Sequence, residues 1–177
     1  MPHSIIDNAF DPELIKELKN LFLSHDFPWR LADKVSNEDQ VPASICSSYY
    51  FTHHFSELLK VDYSNLWMKE RERDCHPFEL LNPILKELEP KAIIRIKGNL
   101  YPSTSTIEHH NNHQDYQYHH NAAILYLNTN DGLTILNDSI EVKSIENRLL
   151  LFDGSLWHRS TTCTDAMCRI NINFNYF

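Results

Sequence analysis

Apolar residues fall at helical intervals early in the chain and alternate or cluster in short runs later, so the pattern changes period part-way along. Leu14, Ile15, Leu18, Leu21 and Phe22 follow Asp11-Pro12 at the spacing of one helix face. An aspartate in the capping position and a proline in the first turn are a helix start, because the carboxylate accepts from a first-turn N–H that has no intrahelical partner and the proline lacks an N–H that would have none. This predicts a helix that stops near His25 to Pro28, before a polar loop from Asp33 to Gln40. Ser47 to Phe51 is a tyrosine-rich run that suits a strand. His76-Pro77 opens a second helical pattern through Leu80, Leu81, Ile84, Leu85 and Leu88, which Pro90 ends.

From Lys91 onward the pattern is that of short strands separated by turn residues. Ala92 to Leu100, Asn121 to Leu127, Leu133 to Leu136, Ile140 to Val142, Arg148 to Phe152 and Met167 to Tyr176 are the predicted strands. Asp131-Gly132, Asn137-Asp138 and Phe152 to Ser155 supply turn chemistry between them. Strands at this spacing predict a sandwich or barrel, with the early helices free to cover one face. The fold class expected is therefore mainly β with N-terminal α-helices. A chain of 177 residues suits one domain, helix-rich over 1–90 and strand-rich over 91–177.

Composition narrows the function classes. A net charge of -8 argues against a protein whose main task is to neutralise phosphates, so a nucleic-acid partner is not expected. No basic start with an apolar run is present, and no apolar stretch approaches the roughly 20 residues that span a bilayer. Cys46, Cys75, Cys163 and Cys168 form no Cys-x-x-Cys pair, which reads as reduced thiols in a cytoplasmic protein.

Candidate chemistry gathers between Glu108 and His120, where five of the 11 histidines stand. Residues two apart in an extended segment point to the same side, so His113 and Asp115 could offer a ring nitrogen and a carboxylate oxygen to one ion. They form the only His-x-Asp or His-x-Glu in the cluster. His158, after the strong strand Leu149 to Phe152 and a turn, is the candidate third ligand. Two imidazoles and a carboxylate leave open positions on an octahedral ion, the arrangement associated with non-haem Fe(II) oxygenases. Arg169 strengthens the case. In the strand 168–174 it shares a polar face with Asn171 and Asn173, while Ile170, Ile172 and Phe174 point the other way. An inward guanidinium fork is matched to a dicarboxylate.

These residues, with their flanks, carry a family resemblance. The segments Arg95-Ile96-Lys97-Gly98-Asn99-Leu100-Tyr101-Pro102, His113-Gln114-Asp115, Ala123-Ile124-Leu125-Tyr126-Leu127-Asn128, Asn147 to His158 and Arg169-Ile170-Asn171 stand in family order over roughly half of the chain. The chain resembles the Fe(II)- and 2-oxoglutarate-dependent dioxygenases, especially short prolyl 4-hydroxylase-like members of viral and bacterial type. The resemblance implies a double-stranded β-helix, a cupin-like jelly-roll with the helices packed on its major sheet. It makes His113, Asp115 and His158 the iron ligands and Arg169 the partner of the distal carboxylate of 2-oxoglutarate. Tyr126 and Tyr101 match tyrosines that contact the same co-substrate. Asn171 stands where many relatives carry a small hydroxyl residue.

The activity implied consumes O2 and 2-oxoglutarate, forms succinate and CO2, and hydroxylates a carbon of a peptidyl proline or another amino-acid side chain, with ascorbate as a candidate reductant. The partner expected besides the co-substrate is a protein or peptide substrate. Two alternatives stay open. An AlkB-like nucleic-acid demethylase shares Asn99-x-Tyr101 before His-x-Asp, but usually carries two arginines in its closing strand. A non-catalytic cupin-like metal-binding module would use more of the histidine cluster and would not need Arg169. The other histidines, His53, His54, His109, His110, His119 and His120, are expected mostly on the surface.

Overall fold

The computed structural model describes residues 3–32, 49–57 and 78–177. The polar loop Asp33 to Gln40, the first residues of the tyrosine-rich strand, the start at His76-Pro77, and Cys46 and Cys75 lie outside the described residues.

In chain order the elements are β1 (Ser4–Ile6), α1 (Pro12–Phe22), β2 (Arg30–Ala32), β3 (Tyr50–Glu57), a 3-10 turn (Phe78–Leu81), α2 (Asn82–Leu88) and β4 (Ile93–Pro102). Then follow β5 (Asn121–Tyr126), β6 (Leu133–Leu136), β7 (Ile140–Lys143), β8 (Arg148–Asp153), β9 (His158–Ser160) and β10 (Cys168–Tyr176). Asp11 caps α1 as its side chain predicts, accepting from the Glu13 amide at 2.8 Å. The helix ends at Phe22, a few residues earlier than the pattern suggests.

Among the described residues, a seven-stranded sheet runs β1-β8-β5-β10-β4-β3-β2 and a three-stranded sheet runs β7-β6-β9, with antiparallel pairing throughout. Among the described residues before Glu89 the two helices are joined by β1, β2 and β3, which all enter the large sheet. On its outer side Ile15, Leu18 and Phe22 of α1 and Ile84 of α2 form one buried cluster with Ile96, Leu125, Ile170, Ile172 and Phe174. Enclosing Leu18 and Phe22, each fully buried, contributes roughly 1.5–3 kcal/mol apiece. A second cluster joins the sheets, with Ala122, Ile124, Tyr126, Leu150 and Phe152 of the large one against Leu136 and Val142 of the small one.

Strand β10 lies between these layers and is buried along nearly its whole length. Its apolar residues fill the helix side, so Arg169, Asn171 and Asn173 face the space between the sheets. Pairing extends this polar strip sideways. Arg169 lies opposite Tyr101, Asn171 opposite Asn99 and Tyr126, and Asn173 opposite Lys97 and Ile124. One end of the sandwich therefore has a polar floor.

Candidate metal centre

The His-x-Asp segment reaches this floor because it continues the small sheet. His109 bridges to Thr161 and His113 to His158, both antiparallel, so residues 109–113 lie along the free edge of β9. The His110 amide donates to the Ser160 carbonyl at 2.9 Å in the same ladder. His113 and His158 become cross-strand neighbours, with ring centroids 4.5 Å apart. Asp115, two residues on, turns toward the large sheet.

The three candidate ligands converge: one ligand atom each from His113, Asp115 and His158 lies within 4.8 Å of the others. The tautomers are set by the backbone. His113 Nδ1 sits 3.1 Å from the Asn111 carbonyl and His158 Nδ1 2.9 Å from the Leu156 carbonyl. A carbonyl only accepts, so the proton stays on Nδ1 and Nε2 keeps its lone pair for an ion. Burial, assisted by His158, lowers the His113 pKa to about 4, which leaves that imidazole neutral at neutral pH. Burial pushes the Asp115 carboxyl up, but Arg95, His158, Lys97 and His113 together hold it well below the usual carboxylate range. Two imidazoles presenting Nε2 and an ionised carboxylate are a donor set that fits a divalent transition-metal ion with positions to spare.

Both oxygens of that carboxylate carry further contacts. Arg95 donates to Oδ1 at 2.5 Å, and Asn173 Nδ2 to Oδ2 at 3.2 Å. Behind Asn173 the polar chain continues, since Asn175 Nδ2 donates to Asn173 Oδ1 and His120 Nε2 lies 2.9 Å from Asn175 Oδ1. Gly154 makes room for this histidine: a Cβ there would come within 2.1 Å of His120 Nε2.

Arg169 is fully buried. Its Nε donates to Ser144 Oγ at 2.6 Å, NH2 to Thr134 Oγ1 at 2.8 Å and NH1 to the Thr161 carbonyl at 3.3 Å. The rings of Tyr101 and Tyr126 flank it, with centroids 5.4 and 5.7 Å from its central carbon. Gly132 lets it pass, because a Cβ there would lie 2.6 Å from Arg169 Cδ. Among the described residues no carboxylate reaches the guanidinium, so a buried charge is held by neutral groups alone. Such a charge favours an anionic partner. Ser144, Thr134 and the Thr161 carbonyl hold the planar fork in place, and such a fork can meet a carboxylate in a two-toothed contact.

A pocket joins the two ends of the site and is lined by His113, Asp115, His158, Arg169, Tyr101 and Asn171, among others. Tyr126 does not line it. Its hydroxyl donates to Thr134 Oγ1 at 2.8 Å, so it braces the residue that holds Arg169. Asn171 Oδ1 accepts from Asn99 Nδ2 at 2.9 Å. The pattern of the chain had singled out neither Thr134 nor Ser144, and it gave no role to Arg95 or to the Asn173–Asn175–His120 chain. Thr134 stood in view as the one polar residue of Leu133-Thr134-Ile135-Leu136; Ser144 carries no such signal.

The expectation of surface histidines needs correction. His109 and His119 are exposed, but His53, His110 and His120 are buried. His53 packs against Phe27 and Phe55, and His110 stacks on Tyr101 with Nδ1 2.7 Å from Ser160 Oγ. Their rings fill structural positions that a surface reading of polar clusters overlooks.

No family model and no curated protein matches the chain. Solved structures do. A Trichoplax adhaerens prolyl hydroxylase, in complex with a hypoxia inducible factor oxygen degradation domain peptide fragment, superimposes with a TM-score of 0.61 over 99% of this chain and 83% of its own, at 16% identity. A Pseudomonas putida prolyl-4-hydroxylase gives 0.58 over 98% and 91%, at 13% identity. The fold is that of the 2-oxoglutarate and Fe(II) oxygenases. The jelly-roll is shared more widely than the prolyl hydroxylases: the non-haem α-ketoglutarate-dependent epimerase SnoN of nogalamycin biosynthesis gives 0.64 over 99% and 77%, at 9% identity. At these identities the likeness is one of fold. No helix among the described residues is long and apolar enough to cross a membrane.

Proposed function

We propose that the chain is a non-haem Fe(II)- and 2-oxoglutarate-dependent dioxygenase that hydroxylates carbon, with His113, Asp115 and His158 holding the iron. The observation that carries this reading is the conjunction of two incomplete sites in one pocket: a convergent His-Asp-His donor set and a buried arginine with no carboxylate partner among the described residues. A metal-binding module would need the first and not the second.

Iron, 2-oxoglutarate and O2 together would supply the oxidising power for hydroxylation, with succinate and CO2 as products. The protein's share is placement. His113 and His158 present Nε2 because backbone carbonyls hold their Nδ1 protons. Arg169 takes the distal carboxylate of 2-oxoglutarate with its guanidinium fork. Thr134 Oγ1 already accepts from Arg169 and Tyr126, so its own hydroxyl proton is available to the same carboxylate. Tyr101 and Asn171 border the co-substrate, and Tyr126 acts through Thr134. Burial of this end keeps water from competing for the guanidinium.

The substrate class we favour is a peptidyl proline or another amino-acid side chain, and ascorbate belongs in the assay as reductant. Fold analogy with the prolyl hydroxylases supports this choice. The demethylase alternative is disfavoured by Arg169 being the sole arginine of β10. The cupin-like module is disfavoured because His110 and His120 are engaged with Ser160 and Asn175 rather than with the ligand cluster.

The test is succinate production. Purified protein given Fe(II), 2-oxoglutarate, ascorbate and O2 should form succinate slowly even without a substrate, and Asp115→Ala should abolish it. Absence of both turnover and 2-oxoglutarate binding in the wild type would overturn the reading.

A further inference from the structure

The carboxylate that would hold the metal already has a cation. Arg95 NH2 lies 2.5 Å from Asp115 Oδ1, and the two side chains are only 13% and 5% exposed, so water screens the pair little. The guanidinium is held from its other side by the Tyr116 ring, 5.5 Å from centroid to central carbon. Lys97, the next inward residue of β4, adds a second positive charge that bears on Asp115. A carboxylate this buried is costly to keep ionised without a counter-charge, and Arg95 supplies one whether or not a metal is present. A divalent ion entering the site would have to share Asp115 with a guanidinium fixed a hydrogen bond away from the same carboxylate. Like charges that close in a poorly screened site oppose one another.

We propose that Arg95 is a built-in counter-ion of Asp115 that keeps the metal-free pocket folded and lowers its affinity for divalent metal. The inference rests on the reading that His113, Asp115 and His158 are the metal ligands. Arg95 is a positioning residue in this account, acting on the metal through the carboxylate. The alternative, that Arg95 only orients Asp115 for coordination, predicts the opposite sign. Loss of an orienting group weakens metal binding, commonly by about 10- to 100-fold. Loss of a competing charge strengthens it. Asn173, which donates to Oδ2 without a charge, is the natural control for orientation.

The experiment is a Mn(II) titration of metal-stripped full-length protein, followed by electron paramagnetic resonance, together with melting of the metal-free and Mn(II)-loaded forms. Arg95→Gln keeps an N–H donor and removes the charge. It should bind Mn(II) at least about 10-fold more tightly than wild type and melt lower without metal. Arg95→Lys keeps the charge and should restore wild-type affinity, whereas Asn173→Ala should bind more weakly. Arg95→Gln affinity equal to or below wild type, with the chain folded by circular dichroism, would overturn the proposal. If that variant folds only when loaded, its rate of Mn(II) loss to a chelator is compared instead: slower release than wild type supports the proposal, and equal or faster release overturns it. A wild type that binds no Mn(II) would refute the metal-site reading itself, a result distinct from both.

Discussion

The backbones of His113 and His158 exchange a pair of hydrogen bonds, His113 N–H to His158 C=O at 2.9 Å and the reverse at 2.8 Å. Residues distant in sequence are thereby fixed opposite each other, and their rings are side by side before any metal arrives. Asp115 is placed separately, by donors from β4 and β10. The site is thus assembled from both sheets, and its geometry depends on their being packed together.

This predicts a sharp division among the histidines. His113→Ala, His158→Ala and Asp115→Ala should each lower Fe(II) or Mn(II) affinity by more than about 100-fold, since each removes one of the three proposed ligands. His109→Ala and His119→Ala should leave it unchanged. Metal content after dialysis is the measurement, and loss of metal in His109→Ala as complete as in His113→Ala would show that the ligands are misassigned.

The chain's late half was readable because its strands obey a simple alternation and its turns use the residues that turns demand. Asn137 and Asp138, at φ 48° and 56°, join β6 to β7 as the Asn-Asp pair suggests. Asp11 likewise caps α1 in the predicted place. The strands that escaped, β1, β2 and β9, are each three residues long, too short for a period to register, and β1 is exposed throughout. At the site, spacing sufficed to suggest His113, Asp115 and Arg169, because each sits on a strand whose other face is apolar or within two residues of its partner. The groups that hold them were not legible. Ser144 and Thr134 meet Arg169 only across the gap between sheets, and Arg95 meets Asp115 only through the register of β4. Such contacts leave no local pattern.

Packing around His120 gives a second prediction. Gly154→Ala would drive a methyl group into the imidazole, and overpacking of this kind costs typically 1–3 kcal/mol. Urea denaturation should show a loss of about that size. In a His120→Ala background the ring is gone, so the same substitution should cost less than in the wild type, a coupling that a double-mutant cycle reads directly. Strict additivity would mean that the Gly154 contact is relieved in some other way.

The buried histidines make a pH prediction. Burial, with Arg169 next in weight, lowers the His110 pKa to about 3, from an ordinary value of 6.5. His113 falls to about 4. Both folded values lie below the unfolded one, so the unfolded chain binds protons first as pH drops. Metal-free stability should therefore be full above about pH 6.5 and decline below it, by up to about 1.4 kcal/mol per pH unit for each histidine. His113 ceases to contribute to the decline near pH 4 and His110 near pH 3. Urea melts of wild type and His110→Gln between pH 7 and pH 4.5 should diverge, with the variant less pH-sensitive. Parallel curves would show that His110 does not titrate as its burial implies.

The central claim is that metal and 2-oxoglutarate meet in one pocket, joined by the triad at one end and Arg169 at the other. Calorimetric titration of 2-oxoglutarate into Mn(II)-loaded wild type, metal-free wild type and Mn(II)-loaded Arg169→Ala tests it in one experiment, run without oxygen. Binding should be strong in the first. It should be much weaker in the second, and weaker by roughly 30- to 1000-fold in the third, the equivalent of about 2–4 kcal/mol for losing a charge-assisted pair. Arg169→Lys should fall between, because an ammonium offers a point charge where a fork is needed. Equal affinities for wild type and Arg169→Ala, or binding indifferent to metal, would contradict the account.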